Sequence, residues 1–273
     1  MTIRLAMAFL ISLFLSGCAL PSMDGGTGTL FTDTAERERA LKIADISVQS
    51  GNYLAAIDIY HKLLQKNQFD TDVLYALGST YLKAGAGEEA VSVFETLEEL
   101  SPEDIRPRLG LGRAQLSLYR PEAAALYFAS AAELEAENIE ALGGLAIAKD
   151  MAGAHGAARD LYHRALAVAP EDTALRNNLA LSYLMAGEYE AAVDALSDLA
   201  FAPQSTAAIR QNLAMAYGLK GDREAAARIA RIDLDAATVE NNLKFYGLLR
   251  RMQDKDLLRR YLLRSAPDGV AGS

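Results

Sequence analysis

A chain of 273 residues with a single cysteine can form no internal disulfide, so its fold depends on packing alone. Apolar residues make up 51% of the sequence, which is enough for a sizeable core. The net charge of −9 disfavours nucleic-acid binding, because an acidic surface repels a polyanion.

The N-terminal residues have the pattern of a secretory signal. Arg4 supplies a positive charge, residues 5–15 are uncharged and mostly apolar, and small residues precede Cys18. A run of this length is too short to span a bilayer, which needs roughly 20 residues. Leu15-Ser16-Gly17-Cys18 resembles the bacterial lipobox. The resemblance implies that residues 1–17 are removed and that diacylglycerol and an N-acyl chain are attached to Cys18. The alternative is an ordinary signal peptide with an incidental cysteine.

Residues 18–35 are expected to form a lipidated, flexible tether. The stretch after Pro21 is rich in Gly, Ser and Thr and has no helical period. Residue 19 is Ala, whereas Asp at that position retains enterobacterial lipoproteins in the inner membrane. Resemblance to that sorting rule implies a lipid anchor in the outer membrane, with the rest of the chain facing the periplasm.

A 34-residue period dominates the sequence between residues 36 and 240. Small residues recur at positions 8 and 20 of the unit, a large side chain at position 24 and Gly at position 15, where Tyr119 is the exception. The second unit shows the set as Gly78, Tyr81, Gly85, Ala90, Phe94 and Pro102. Small residues allow two helices to cross closely, and Gly ends the first helix in a left-handed conformation. The pattern resembles the tetratricopeptide repeat (TPR), and six units keep one frame.

The frame slips after residue 240. Residues 239–251 and 254–265 are predicted as a helix pair that lacks small crossing residues, so 241–265 is interpreted as a C-terminal cap and 266–273 as a disordered tail. The predicted fold is therefore an all-α solenoid, a right-handed superhelix whose groove is lined by the first helix (helix A) of each unit. Residues 241–265 hold seven basic side chains against two acidic ones. Such an excess of basic side chains could bind an acidic partner or lipid headgroups. Alternatively, these residues form a solvated cap, which is the interpretation that we favour.

No set of residues with the spacing of an active site is found. His61 and His163 fall on the outer side of the second helix (helix B), and no cysteine or carboxylate joins them at metal-ligand spacing. His155 falls at the start of a helix B and is expected to be a solvated end residue. The sequence predicts a protein that is not an enzyme and that needs no metal or other cofactor apart from the lipid on Cys18.

Amide side chains recur on three successive A helices. They form a column that could bind the backbone of an extended peptide, since an amide both donates and accepts, while methionine and leucine supply adaptable apolar contacts. Alternatively, the same amides hold the stacking of the units. The candidate groove residues are Asn177, Asn178, Leu181, Met185, Gln211, Asn212, Met215 and Asn242.

The run from residue 177 to 250 carries a narrower resemblance. It includes Asn177-Asn178-Leu179, Arg210-Gln211-Asn212-Leu213 and Asn242-Leu243, and it is similar to the TPR lipoprotein of the tight-adherence (Tad/Flp) pilus assembly system. That resemblance implies a pilotin-like factor for the outer-membrane secretin, with pilus assembly proteins as partners and no nucleic acid or small-molecule substrate. The alternative is a TPR lipoprotein that recruits peptidoglycan hydrolases or assists outer-membrane protein assembly.

Overall fold

The computed structural model describes the backbone of residues 26–251 and the side chains of residues 34–251. The signal sequence, Cys18, the second predicted cap helix and the tail lie outside the described residues. Within them the chain is helical, with thirteen helices and no strand: α1 Gly26–Gln49, α2 Tyr53–Lys66, α3 Thr71–Lys83, α4 Gly87–Leu100, α5 Ile105–Ser117, α6 Pro121–Leu134, α7 Ile139–Met151, α8 His155–Val168, α9 Thr173–Ala186, α10 Tyr189–Phe201, α11 Ala207–Lys220, α12 Arg223–Ala230 and α13 Ala236–Arg251.

The helices follow one another as antiparallel pairs. Each helix packs on the next in the chain, and α1 with α2 through α11 with α12 give six helix-turn-helix units. The odd-numbered members are the A helices and the even-numbered members the B helices. This arrangement confirms the predicted all-α fold of solenoid-like repeats.

The turn between the two helices of a unit is left-handed, as predicted from position 15. Gly51, Gly85, Gly153, Gly187 and Gly221 all have positive φ, between 75° and 104°. Tyr119 occupies the same position in the third unit and adopts φ 56° despite its side chain. The packing of the unit thus imposes the turn even on a residue that bears a Cβ.

Aromatic side chains at position 24 fill the gap between neighbouring units. Phe94 is fully buried between Gly78 of its own unit and Gly110 of the next. A Cβ at these glycines would lie 2.8 Å and 2.6 Å from carbons of the ring, so neither position has room for one. Phe128 lies in the same way between Gly112 and Gly144. The absent side chains therefore create the slot for the ring.

The last residue of each unit caps the first helix of the next. The side chain of Asp70 accepts a hydrogen bond from Val73 N, and equivalent bonds start α5, α7, α9 and α11. These caps satisfy backbone donors that a helix leaves free at its N-terminus. Their residues are Asp70, Asp104, Asn138, Asp172 and Thr206.

The structure differs from the sequence-based expectation at both ends. Helix α1 begins at Gly26, inside the segment 18–35 that was predicted to be a tether. No proline lies between Pro21 and the packed part of α1, so the helix can extend toward the N-terminus despite Gly26 and Gly28. At the other end, α12 has only 8 residues, and α13 already begins at Ala236 with Asp235 as its cap.

The short α12 explains why the frame slips. Buried residues on α13 repeat those of α11 after 30 residues and not 34: Val239 matches Ile209, and Leu243 matches Leu213. Helix α13 therefore packs on the sixth unit as a further A helix, with Tyr246 against Gly218. It runs through residue 240, where the sequence predicts the sixth repeat to end.

Candidate functional site

The A helices form one continuous face of the array. Successive A helices from α3 to α13 contact one another, whereas successive B helices have at most weak contacts within the described residues. Because the A helices approach each other more closely, the array bends toward them. Their outward side chains therefore line the inner surface, where a partner segment would bind.

Charged side chains cross the inner surface of the first four units. Asp72, 70% exposed, lies 3.7 Å from Arg37 on one side and 3.5 Å from Arg106 on the other. Arg113, two turns further along α5, lies 3.3 Å from Glu140 of α7. We call these five residues, with Tyr75, the charged ladder. It reaches from α1 to α7 with charges of both signs.

Tyr75 lies at the centre of the charged ladder. The Arg106 guanidinium stacks over its ring at 5.3 Å from the centroid, and Arg113 Nη2 donates a 3.4 Å hydrogen bond to its hydroxyl. Behind it the ring contacts Phe94, with centroids 6.1 Å apart. The tyrosine is therefore held between Arg106 and Phe94. Its hydroxyl oxygen accepts the bond from Arg113, so the O–H group can still donate a hydrogen bond to a partner.

Arg37 and Asp70 support the N-terminal end of the ladder. Arg37 donates to both Asp70 carboxylate oxygens, Nε to Oδ2 at 2.7 Å and Nη2 to Oδ1 at 2.9 Å. This hydrogen-bonded guanidinium holds the pKa of Asp70 below its usual value, against the opposing effect of burial. The same carboxylate caps α3, so one residue joins the first unit to the second.

The amides predicted to bind a peptide are turned toward each other. Asn212 Nδ2 donates to Asn177 Oδ1 at 2.8 Å, and the two residues are only 7% and 8% exposed. This bond joins α9 to α11. It is the arrangement expected if the amides hold the stacking of the units, which was the alternative interpretation. Asn178 and Asn242 are partly exposed.

The remaining predicted groove residues are engaged in packing. Leu181, Met185 and Met215 are at most 6% exposed and belong to the core formed by α9 to α13. Gln211 Nε2 donates to Asp233 at 3.3 Å. In this conformation, only a small part of this half of the inner surface is accessible to a ligand.

His155 differs from the expected solvated end residue. Its Nδ1 lies 2.8 Å from Oδ1 of Asp150, a carboxylate that is 1% exposed, and 17% of its own side chain is exposed. Sequence reasoning missed Asp150. A signal was available, because position 12 holds Leu82, Leu116 and Leu184 in other units.

The described residues contain neither a metal-binding cluster nor a membrane-spanning helix. No group of three or more His, Cys, Asp or Glu side chains is arranged to hold a metal ion in that part of the chain. Among the described helices, none has both the length and the apolar character that a membrane span requires.

Comparison with known proteins defines the class. Tetratricopeptide repeat family models match residues 47–116 and 144–207. No match to a curated protein sequence was found. Together with the fold, the two matched regions show that the chain contains an array of tetratricopeptide repeats, and such arrays serve as scaffolds for protein–protein interaction.

Solved structures share the fold at low sequence identity. A tetratricopeptide repeat protein from Parabacteroides merdae is 19% identical, with a TM-score of 0.65 over 77% of this chain and 84% of its own. A thermophilic TPR protein from Thermus thermophilus is 23% identical, with a TM-score of 0.58 over 66% and 98%. The Cut9–Hcn1 hetero-tetramer of the APC/C gives 17% identity and a TM-score of 0.66 over 80% of this chain and 46% of the matched one. At these identities the likeness concerns the fold alone.

Proposed function

We propose that this TPR protein is an outer-membrane lipoprotein that assists assembly of the Tad/Flp pilus, as a pilotin-like factor for the secretin. Two sequence features support the proposal: the lipobox-like Leu15-Ser16-Gly17-Cys18 and the resemblance of residues 177–250 to the Tad/Flp lipoprotein. A lipid anchor would confine the binding surface to the membrane in which the secretin assembles. Two or more acyl chains give a stable anchor.

The observation that carries a binding role is the charged ladder. It presents side chains of both signs on the inner surface, with Asp72 and Glu140 well exposed and Arg106 41% exposed. Ion pairs at this exposure contribute little to stability. A partner can therefore replace them at small cost, and we place the partner segment on the ladder of the first four units. The amide column of α9 and α11 then supports the array that holds the ladder.

A second candidate function is that of an adaptor for peptidoglycan hydrolases or for outer-membrane protein assembly. The same anchor and the same repeat surface favour it, since both roles need a membrane-bound scaffold. The two proposals differ in the partner and in the phenotype that follows its loss.

Deletion of the gene and the variant Cys18→Ala separate these proposals. If the protein serves the secretin, both changes reduce heat-stable secretin multimers in outer-membrane fractions and reduce surface fibres. Normal secretin and fibres together with altered cell-wall turnover would reject the pilus assignment in favour of the adaptor. Fractionation of the Cys18→Ala protein tests the anchor itself, because it should leave the membrane fraction.

A matched pair of arginine variants tests the binding surface. Arg106→Ala removes the central cation of the ladder, and Arg164→Ala removes an exposed cation from the outer helix α8. We expect only Arg106→Ala to weaken co-purification of the secretin, with unchanged helicity by circular dichroism. Equal loss in both variants, or in neither, would show that the ladder does not contact the partner.

A further inference from the structure

A carboxylate lies in the core at a position where three of the other units have leucine. Position 12 of the unit holds Leu82, Leu116 and Leu184, which are 9%, 3% and 0% exposed. In the fourth unit the residue is Asp150, and it is 1% exposed. A buried charge costs stability unless neighbours compensate for it, so its surroundings are informative.

Asp150 connects three helices through one oxygen atom. Its Oδ1 lies 2.8 Å from His155 Nδ1 at the start of α8, and it accepts a 2.8 Å hydrogen bond from Ser182 Oγ of α9. Ser182 is fully buried. Asp150 Oδ2 is also buried, and the carboxylate interacts with the hydroxyl of the buried Tyr162 of α8. The cluster of Asp150, His155 and Ser182, which we call the polar joint, thus bridges the fourth and fifth units.

The polar joint lies where one apolar core gives way to another. Leu175 and Leu179 of α9 pack with α7 and α8, whereas Leu181 and Leu184 belong to the core that continues through α13. Ser182 lies on this second stretch of α9. Its bond to Asp150 therefore ties the C-terminal body, made of α9 to α13, to the preceding four units.

Few other charges face the joint. On α8, Arg159 is engaged by Glu188 at 3.1 Å and by the ring of Tyr183 at 5.0 Å. On α7, Lys149 is partly exposed in the last turn, and Glu140 at the opposite end pairs with Arg113 of α5. The charged residues of α6, Glu122 and Glu133, are exposed. On α9 and α11, Arg176 pairs with Glu171 and Arg210 with Asp233. His155 is therefore the basic side chain in contact with Asp150.

The pKa values of Asp150 and of the neighbouring Tyr162 are both raised. Burial, the largest effect, raises the pKa of Asp150, although its hydrogen bonds with His155 and Ser182 oppose the shift. Burial and then the Asp150 charge raise the pKa of Tyr162, which stays neutral. A carboxyl group with a raised pKa stabilises the fold at low pH, and this stabilisation is lost as pH rises through the folded-state value.

We propose that the polar joint is a proton-controlled hinge, which holds the C-terminal body firmly on the first four units at low pH and loosens as pH rises. The hinge changes how the two halves of the inner surface are held relative to one another. It is independent of the identity of the partner and of the lipid anchor.

Hydrogen exchange in the purified full chain tests this proposal. After correction for intrinsic exchange rates, protection of α9 is compared with that of α5, which has Leu116 at the position of Asp150. From about pH 4, near the ordinary aspartate pKa, to about pH 8, the ratio of α9 to α5 protection should fall several-fold, because Asp150 loses its proton within this range. A ratio that does not change with pH would overturn the hinge.

Variants assign the effect to the joint. Asp150→Leu restores the residue of the neighbouring units, and Asp150→Asn keeps an acceptor for Ser182 without a charge; both should make the ratio independent of pH. His155→Gln should lower α9 protection at low pH, while His163→Gln, an exposed histidine of α8, should behave like the wild type. If the pH dependence persists in both Asp150 variants, or disappears in His163→Gln, the assignment to the joint is wrong.

Discussion

A methyl group added at Gly110 probes the slot that holds Phe94. In Gly110→Ala the new Cβ would lie 2.6 Å from the ring carbons, and the ring cannot retreat because Gly78 limits it from the other side. Overpacking of this kind costs about 1 to 3 kcal/mol, and a ring that is held on both faces belongs at the upper end. Alanine gains about 1 kcal/mol over glycine in helix propensity. We therefore expect a net loss of about 2 kcal/mol.

The same change becomes tolerable when the ring is removed. The fifth unit carries Leu196 at the position of Phe94 and Ala180 at the position of Gly78, so leucine beside alanine packs in this frame. In a Phe94→Leu background, Gly110→Ala should cost nothing or stabilise. The double-mutant cycle then gives a coupling energy of about 2 kcal/mol.

Urea unfolding followed by circular dichroism at 222 nm measures these values. Gly156→Ala in α8 is the matched control, because no atom lies within 4 Å of its added Cβ and the change should stabilise by up to about 1 kcal/mol. Equal costs for Gly110→Ala in both backgrounds, or a stability of Gly110→Ala equal to that of Gly156→Ala, would refute the slot.

Three further outcomes follow from the contacts. Asn212→Ala leaves the buried Asn177 oxygen without its donor and should lower the free energy of unfolding by about 1 to 3 kcal/mol, whereas Asn178→Ala should change it little; thermal denaturation compares the two. Asp70 has a lowered pKa, so its stabilisation is present above the ordinary aspartate value and is lost as pH falls through the folded one. Asp70→Asn keeps a cap and should remove up to about 1 kcal/mol of that acid dependence, read from urea midpoints at pH 3 and pH 7. Tyr119→Gly relieves a positive φ and should raise the urea midpoint, by about 1 kcal/mol in stability; an unchanged or lower midpoint would mean that the turn is unstrained.

The repeats were predictable because close packing leaves a periodic record in the sequence. Where two helices cross too closely for a side chain larger than a methyl group, the sequence has Gly or Ala at fixed intervals, as at Gly78 and Ala90. Tyr119 shows that packing of the repeat outweighs the conformational preference of a single residue, since it adopts the same positive φ as the glycines at this position in other units. The shortened sixth unit was harder to identify, because the short α12 brings the buried face of α13 forward by four residues and leaves no motif of its own in the sequence.

The candidate site was less predictable, because position in the repeat does not fix exposure. Register alone assigned Asn177 and Asn212 to the inner surface, but their mutual hydrogen bond and burial depend on how closely α9 and α11 approach. Similarly, the number of residues between His155 and Asp150 gives no sign that a turn brings them within 2.8 Å. Distances between helices arise from packing across units, which a single-sequence pattern does not record.

The caps at the unit boundaries have a consequence for any shortened form of the array. The residue that starts α9 is Asp172, which by the period of the sequence is the last residue of the preceding unit. The capped helical unit therefore begins one residue before the sequence repeat does. A fragment that begins at Thr173 starts on a helix with uncapped donors, whereas one that begins a residue earlier retains the cap. Each unit thus supplies the N-cap of its successor, so a stable fragment of the array must be cut one residue before the repeat begins.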